Sequence, residues 1–384
     1  MRAGVYAASR TAPRWRPRLS GRTGQPKPYD PAWQQFRRDQ VTALVRKVYL
    51  SAIAIKPQVK ISADTITWAP SVTSDTAWTN SARAYNEVLQ DWRSWMEEGI
   101  LDLNLPMAYF RQNVSQYATD YLQWKNYAVD RRFNRHVVLG PGIYLNSISN
   151  GLHQMRLTRE PSLGGGHTHG VCGYSYAVPA SNSIPNLQSN FLRALTQPSA
   201  YDPITPPIFA NPVSTPGMPW KITPVTGHLK GFVRVPDGNA GVDGAIVKVG
   251  GIEPRTLRTD ATGFFSAVDL APGMYALSTS VTGYQEYLTN FTAIAGRVAM
   301  CEILLEPTVE FLNLTVIAGE RAALVSWTTL VPATSQVEFG VDATYGRLSG
   351  WDADPVLHHS VLLTGLRTNA QHCLRAMSRV GTSE

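Results

Sequence analysis

The residues of this 384-residue chain best placed for chemistry are one carboxylate and a row of aromatic rings. Asp64 follows the run VKISA and is the one carboxylate expected at the carboxyl end of a predicted strand. There it can serve as an acid or accept hydrogen bonds from hydroxyl groups. The competing reading is an aspartate in a loop or at a helix cap. Trp68, Tyr109, Tyr144 and Tyr176 fall at or just beyond predicted strand ends. Aromatic faces stack on the apolar C–H surface of sugar rings, and a phenol adds a hydrogen bond. Rings that merely close a core are equally common. Asn104 is placed on the same rim, Met107 is read as packing, and Asp102 lies at the start of its strand, where a role in stability is expected.

Metal chemistry finds little support. His167 and His169 in GGGHTHG have no acidic or cysteine neighbour, whereas a site needs three or four ligands. Cys172, Cys301 and Cys373 are far apart, in apolar contexts, and read as buried free thiols. His358 and His359 are read as structural. No metal and no cofactor is expected.

The elements that carry these residues alternate between two periodicities. Apolar residues at Phe36, Val41, Leu44, Val45, Val48, Tyr49 and Ile53 predict a helix over 31–55, opened by Asp30-Pro31 and ended by Lys56-Pro57. Strand signals over 59–68, 100–109, 136–144 and 170–177 are separated by helical signals over 78–98, 116–133 and 147–159, with a last helix over 187–195. Strands spaced by helices imply a parallel sheet. A proline-rich linker over 201–225 follows, and then helical periodicity vanishes. Short alternating strands between Gly, Pro and Asp turns predict one β-sandwich over 226–306 and a second, incomplete one over 307–384.

Charge narrows the partners. The net charge of +7 equals the seven Arg and Lys residues of the acid-free segment 1–29, so the rest of the chain is neutral. That is not the basic face of a nucleic-acid binder. Residues 1–29 read as an unstructured basic tail, without the apolar run of an export signal. No stretch is long and apolar enough for a membrane span.

Three resemblances follow from motifs. Residues 30–200 resemble the glycosyl hydrolase-like 10 family through Trp33-x-x-Phe36-Arg37-Arg38-Asp39, Lys56-Pro57-x-Val59, Gln90-Asp91-Trp92-x-x-Trp95, Leu105-Pro106-Met107-x-Tyr109, Gly140-Pro141-Gly142-Ile143-Tyr144 and Gly173-Tyr174-Ser175-Tyr176. The resemblance implies strands five to eight of a (β/α)8 TIM-type barrel, without the acidic motif expected on strand four. It implies hydrolysis of O-glycosidic bonds in a polysaccharide by the intact parent, an inactive partial barrel here, and an extracellular or cell-surface location. The alternative is a non-catalytic carbohydrate-binding or surface protein. A partial barrel leaves open edges that invite self-association. Residues 226–306 resemble the carboxypeptidase regulatory-like domain through Thr259-Asp260-x-x-Gly263-Phe264-Phe265 and Pro272-Gly273-x-Tyr275. Residues 307–384 resemble a fibronectin type III domain through Trp327-Thr328-Thr329 and Leu363-x-Gly365-Leu366.

Overall fold

A computed structural model describes residues 26–236 and 240–380. The expected basic tail falls largely on residues 1–25, outside the described residues. The chain is multidomain, with a mixed helix-and-sheet amino-terminal region and a sheet-rich carboxyl-terminal part. By internal contacts it divides into two compact units, one of residues 1–230, 266–273 and 293–299, the other of 231–265, 274–292 and 300–384.

The first unit opens with α1 (Pro31–Ile55), where the Asp30 carboxylate accepts from Ala32 N at 2.9 Å and Trp33 N at 3.2 Å. A capping carboxylate followed by proline satisfies the helix's first free amides. Four strands follow, β1 (Ser62–Ile66), β2 (Leu103–Ala108), β3 (His136–Pro141) and β4 (Gly170–Val171), in the sheet order β1-β2-β3-β4. The pairings β1–β2, β2–β3 and β3–β4 are all parallel. Thr65, Thr67, Asn104, Ala108, Val137 and Leu139 are buried on one face. On the other face Ser62 and Asp64 are exposed, while Leu103, Leu105, Met107 and Val138 are half-buried.

The long helix expected over 78–98 is instead three short ones: α2 (Asp75–Ser81), α3 (Arg83–Asn86) and α4 (Trp92–Glu98). The reason is local capping. Ser74 caps α2 through Ala77 N at 3.1 Å. Asp91 starts α4 by accepting from Ser94 Oγ at 2.7 Å, and it also holds Trp78 Nε1 at 3.0 Å. Side chains that cap compete with continuing the helix. The breaks let Trp78 and Trp92 pack 4.6 Å apart, beside Trp124 and Tyr127. Gly99, at φ +83°, ends α4 as expected. Two helices that follow strands, α5 (Ser115–Asp130) and α6 (Ile148–Arg159), and the last, α7 (Leu187–Thr196), match their sequence signals within three residues.

The proline-rich stretch is not a free tether. Arg156 grips the Asp202 carboxylate at 2.6 and 2.9 Å and also donates to the carbonyls of Ile204 and Pro206. Ile208 is buried with Ile143, Leu152 and Phe191. The short α8 (Pro219–Ile222) brings Trp220 and Lys221 to Asp102, which is wholly buried.

Beyond it lie β5 (Gly227–Arg234), β6 (Ile246–Gly251), β7 (Arg255–Arg258), β8 (Phe264–Leu270), β9 (Gly273–Thr279), β10 (Tyr287–Ala293) and β11 (Val298–Leu304). They form sheets of order β10-β9-β6-β7 and β11-β5-β8. Asp260 Oδ1 accepts from Thr262 N at 2.7 Å and Phe264 N at 3.2 Å, closing a turn at Gly263, whose φ is +78°. The final strands are β12 (Phe311–Ala318), β13 (Ala322–Gly340), β14 (Arg347–Leu348), β15 (Asp352–Thr364) and β16 (Cys373–Met377). β13 is the hub, pairing with each of the other four, and Trp327, Val325 and Phe339 form their core. His359 is buried there between Thr329 Oγ1 and Ser335 Oγ, each at 2.8 Å. The cysteines are free but not buried: Cys172 is exposed, and Cys301 and Cys373 are half-buried.

Candidate functional site

A cleft of about 600 Å³ opens at the carboxyl ends of β1 and β2. Trp68, Arg83, Tyr109, Phe110, Arg111 and Tyr117 are among the residues that line it. Trp68 is 41% exposed, with the Arg83 guanidinium 4.7 Å above its ring. Arg83 is itself held by Glu87 through two bonds of 2.9 Å, so the cation is fixed over the indole.

Next to the cleft three tyrosines meet. Tyr109 stacks on Tyr174 at 5.3 Å and meets Tyr144 edge-on at 6.1 Å, while Tyr144 and Tyr174 lie 5.9 Å apart. The approach depends on Gly142, where an added Cβ would sit 3.1 Å from Tyr109 Cα and Cβ. Burial, then the neighbouring Tyr174 and Asp64, push the Tyr109 hydroxyl up to about 12. It stays a neutral hydrogen-bonding phenol at ordinary pH.

A buried amide holds this rim. Asn146 donates to the carbonyls of Phe110 at 2.9 Å and Gly142 at 3.1 Å, and accepts from Gln112 N at 2.7 Å. It therefore ties the loop after β2, which carries Tyr109, to the turn after β3, which carries Tyr144. On the far side Asp120 accepts from Ser71 N at 2.8 Å and anchors the loop beyond Trp68.

The sequence-derived candidates divide. Trp68, Tyr109 and Tyr144 lie on this rim. Asp64 lies in the middle of β1, opposite Leu105, rather than at the strand's end, because the strand runs on to Ile66. It is exposed on the half-open face. Asn104 points the other way: it is wholly buried and accepts from Thr65 Oγ1 at 2.6 Å, so it does not line the rim. The alternation of β2 decides this, since Asn104 and Tyr109 differ by an odd number of residues. Tyr176 is 75% exposed and lines a separate apolar hollow with Phe191 and Leu195. The ring that joins the cluster is Tyr174, because β4 ends at Val171 and Tyr174 bridges to Gly142. Arg83, Arg111 and Tyr117 also escaped sequence reasoning, since they lie on helices and loops without strand signals.

His167 and His169 diverge. His167 contacts the Arg159 carbonyl at 3.1 Å, while His169 stacks on His136 at 3.8 Å and accepts from Val137 N. Burial, then His136, lowers His169 to about 4. Among the described residues no three His, Cys, Asp or Glu side chains are grouped to hold a metal ion. Among the same residues no helix is long and apolar enough to cross a membrane.

Residues 14–156 match the glycosyl hydrolase-like 10 family. The matched segment carries Trp68, Tyr109, Tyr144 and Asn146. Among characterised proteins, the glycosyl hydrolase YngK of Bacillus subtilis is 25% identical over 221 residues, covering 51% of this chain. The chain spans 39% of the length of that relative. Among solved structures, a DUF3823 family protein from Bacteroides ovatus is 10% identical, with 40% of this chain and 91% of that one covered at a TM-score of 0.20. The Bacillus anthracis TIE protein is 15% identical, with 38% and 32% covered at 0.23. Scores this low carry no weight for fold or function here.

Proposed function

We propose that the cleft beside Trp68 binds a glycan chain, and that this chain is a glycan-holding part of a glycoside hydrolase-like protein. The observation that carries the reading is the row of rings at the carboxyl side of parallel strands, exposed at Trp68 and Tyr174 and half-buried at Tyr109 and Tyr144, most of it in a segment matching a glycosyl hydrolase-like family. Ligands gather at that end of parallel strands because loops there vary while the strands stay fixed. The four strands and their helices suit strands five to eight of a (β/α)8 barrel. The segments 226–306 and 307–384 serve as a carboxypeptidase regulatory-like and a fibronectin type III-like module. The working location is outside the cell or on its surface.

Binding without cleavage is the favoured reading for this chain. Glycosidases generally use two carboxyl groups about 5–9 Å apart, and among the described residues no carboxylate lines the cleft. Asp64, on the adjoining face, supports the second reading, in which a longer protein hydrolyses O-glycosidic bonds and Asp64 takes part. Affinity electrophoresis of the full chain against soluble polysaccharides, with a reducing-sugar assay alongside, tests both. The expected result is retardation by at least one polysaccharide, weakened about tenfold in Trp68→Ala, equivalent to about 1.4 kcal/mol, with no reducing ends released. No retardation, or none sensitive to Trp68→Ala, overturns the glycan cleft. Release that Asp64→Asn abolishes replaces the binding reading with the hydrolytic one.

A further inference from the structure

We propose that the hollow beside Tyr176 binds a neutral single-ring aryl group. It measures about 210 Å³ and is lined by Met155 of α6, Val171 of β4, Phe191 and Leu195 of α7, Tyr176 and Phe209. Protein interiors seldom hold voids much larger than a water molecule. An apolar cavity of about 150 Å³ already takes up benzene. This one also opens to the surface, since Tyr176 is 75% exposed and Leu192, also in its lining, 46%.

The hollow is held open by hydrogen bonds rather than left by loose packing. On one side Phe209 N donates to the Leu195 carbonyl at 2.8 Å, and Arg159 holds the adjacent Ile208 carbonyl. On the other, Gln188 Nε2 donates to the Ala177 carbonyl at 3.3 Å. Both walls are tied to helices, and a gap that cannot collapse keeps an apolar lining short of contacts that a ligand can supply.

The lining selects the occupant. Among the described residues that form it none is charged, so an ionised ligand would lose its hydration with no counter-charge. Three are rings, Tyr176, Phe191 and Phe209, and Met155 adds a thioether. Rings and thioether sulfur gain more from an aromatic partner than from an aliphatic one of the same size. The volume suits a single benzene-sized ring with a short substituent. That ring can arrive free or as a substituent on a sugar. Ile143 and Gly173 also line the hollow, and their chain neighbours Tyr144 and Tyr174 belong to the ring cluster of the rim, so the turns after β3 and β4 serve both places. The aryl site itself does not depend on the glycan reading.

Fluorine NMR of para-fluorobenzyl alcohol with the full chain tests this. The line is expected to broaden saturably. Leu192→Trp, which fills the mouth from an exposed position, should abolish the broadening with the thermal melt unchanged. Tyr176→Ala should weaken binding about threefold to tenfold, the worth of one aromatic pair. Benzyl alcohol should displace the probe, and cyclohexylmethanol should need at least about threefold more to do so. No broadening at any soluble concentration, or broadening that both variants leave intact, overturns the site. Equal displacement by cyclohexylmethanol overturns the aryl assignment. Broadening lost in Trp68→Ala but kept in Leu192→Trp puts the ring in the cleft beside Trp68 and overturns the proposal too, while the glycan reading is judged separately by retardation. If Leu192→Trp fails to fold, Tyr176→Ala decides alone. Once the site is established, phenyl β-glucoside binding more tightly than benzyl alcohol marks the ring as sugar-borne, and weaker binding marks it as free.

Discussion

Replacing Lys221 with methionine should be among the most damaging single changes in the first unit. Its ammonium lies 3.1 Å from Asp102 Oδ2, the two side chains being 6% and 0% exposed. Asp102 also accepts from Trp220 Nε1 at 2.7 Å, Ile61 N at 2.8 Å and the Tyr49 hydroxyl at 3.2 Å. Methionine keeps most of the volume but leaves a charge in a dry interior. Breaking one side of a buried ion pair costs about 3–5 kcal/mol. The three neutral donors that remain put the loss at the lower end, about 3 kcal/mol, since each still compensates part of the carboxylate's desolvation. For a unit of this size that lowers the melting temperature by about 6–12 °C. The assay is urea unfolding followed by tryptophan fluorescence, which Trp220 and the Trp78 cluster make sensitive. Lys221→Met combined with Asp102→Leu should cost much less than the two single changes added together, because no orphaned charge is left. A single-mutant loss below about 1 kcal/mol, or strict additivity in the double mutant, would refute the claim that these charges depend on each other.

Two further outcomes are expected. Asn146→Ala should cost about 2 kcal/mol in the same urea assay. Phe110 O keeps its bond from Gln154 at 3.1 Å, so the uncompensated loss is mainly the Gln112 amide; glycan retardation should fall with it, because Tyr109 and Tyr144 lose their shared anchor. The first unit should also weaken as pH falls from about 6.5 to about 4. His169 is held near 4 in the fold, against 6.5 in an ordinary environment, so within that window the unfolded chain binds the proton more readily. His169→Gln should flatten that slope in urea midpoints measured at neutral and mildly acid pH; an unchanged slope would remove His169 from the explanation.

Much of the scaffold could be read from residue order, and the reasons are local. The Asp30-Pro31 cap, the Gly99 stop and the helical stripe of α1 need no distant partner, so their signals survive in the sequence. The break of 78–98 into three helices was hidden because its cause, Asp91 reaching both Ser94 and Trp78, lies in a capping bond that periodicity cannot register. At the site the aromatic row was legible because strand ends are legible. Tyr174 rather than Tyr176 joins the cluster because β4 stops after two residues, and strand alternation then no longer says which ring turns inward. Asn104 was misplaced for a simpler reason. Its place along the strand puts it near the rim, but the pleat turns its side chain to the buried face.

The clasp between α8 and Asp102 bears on how the molecule can be cut. Composition alone puts a seam in the proline-rich stretch, and a boundary at residue 200 would look natural. A polypeptide ending there would lose Trp220 and Lys221, keeping Asp102 in its cavity with two of its four partners gone, and Arg156 would lose Asp202 as well. The smallest self-sufficient piece of the helical region therefore runs past Ile222. The prolines mark where the chain turns back to lock its own base, not where one body ends and another begins.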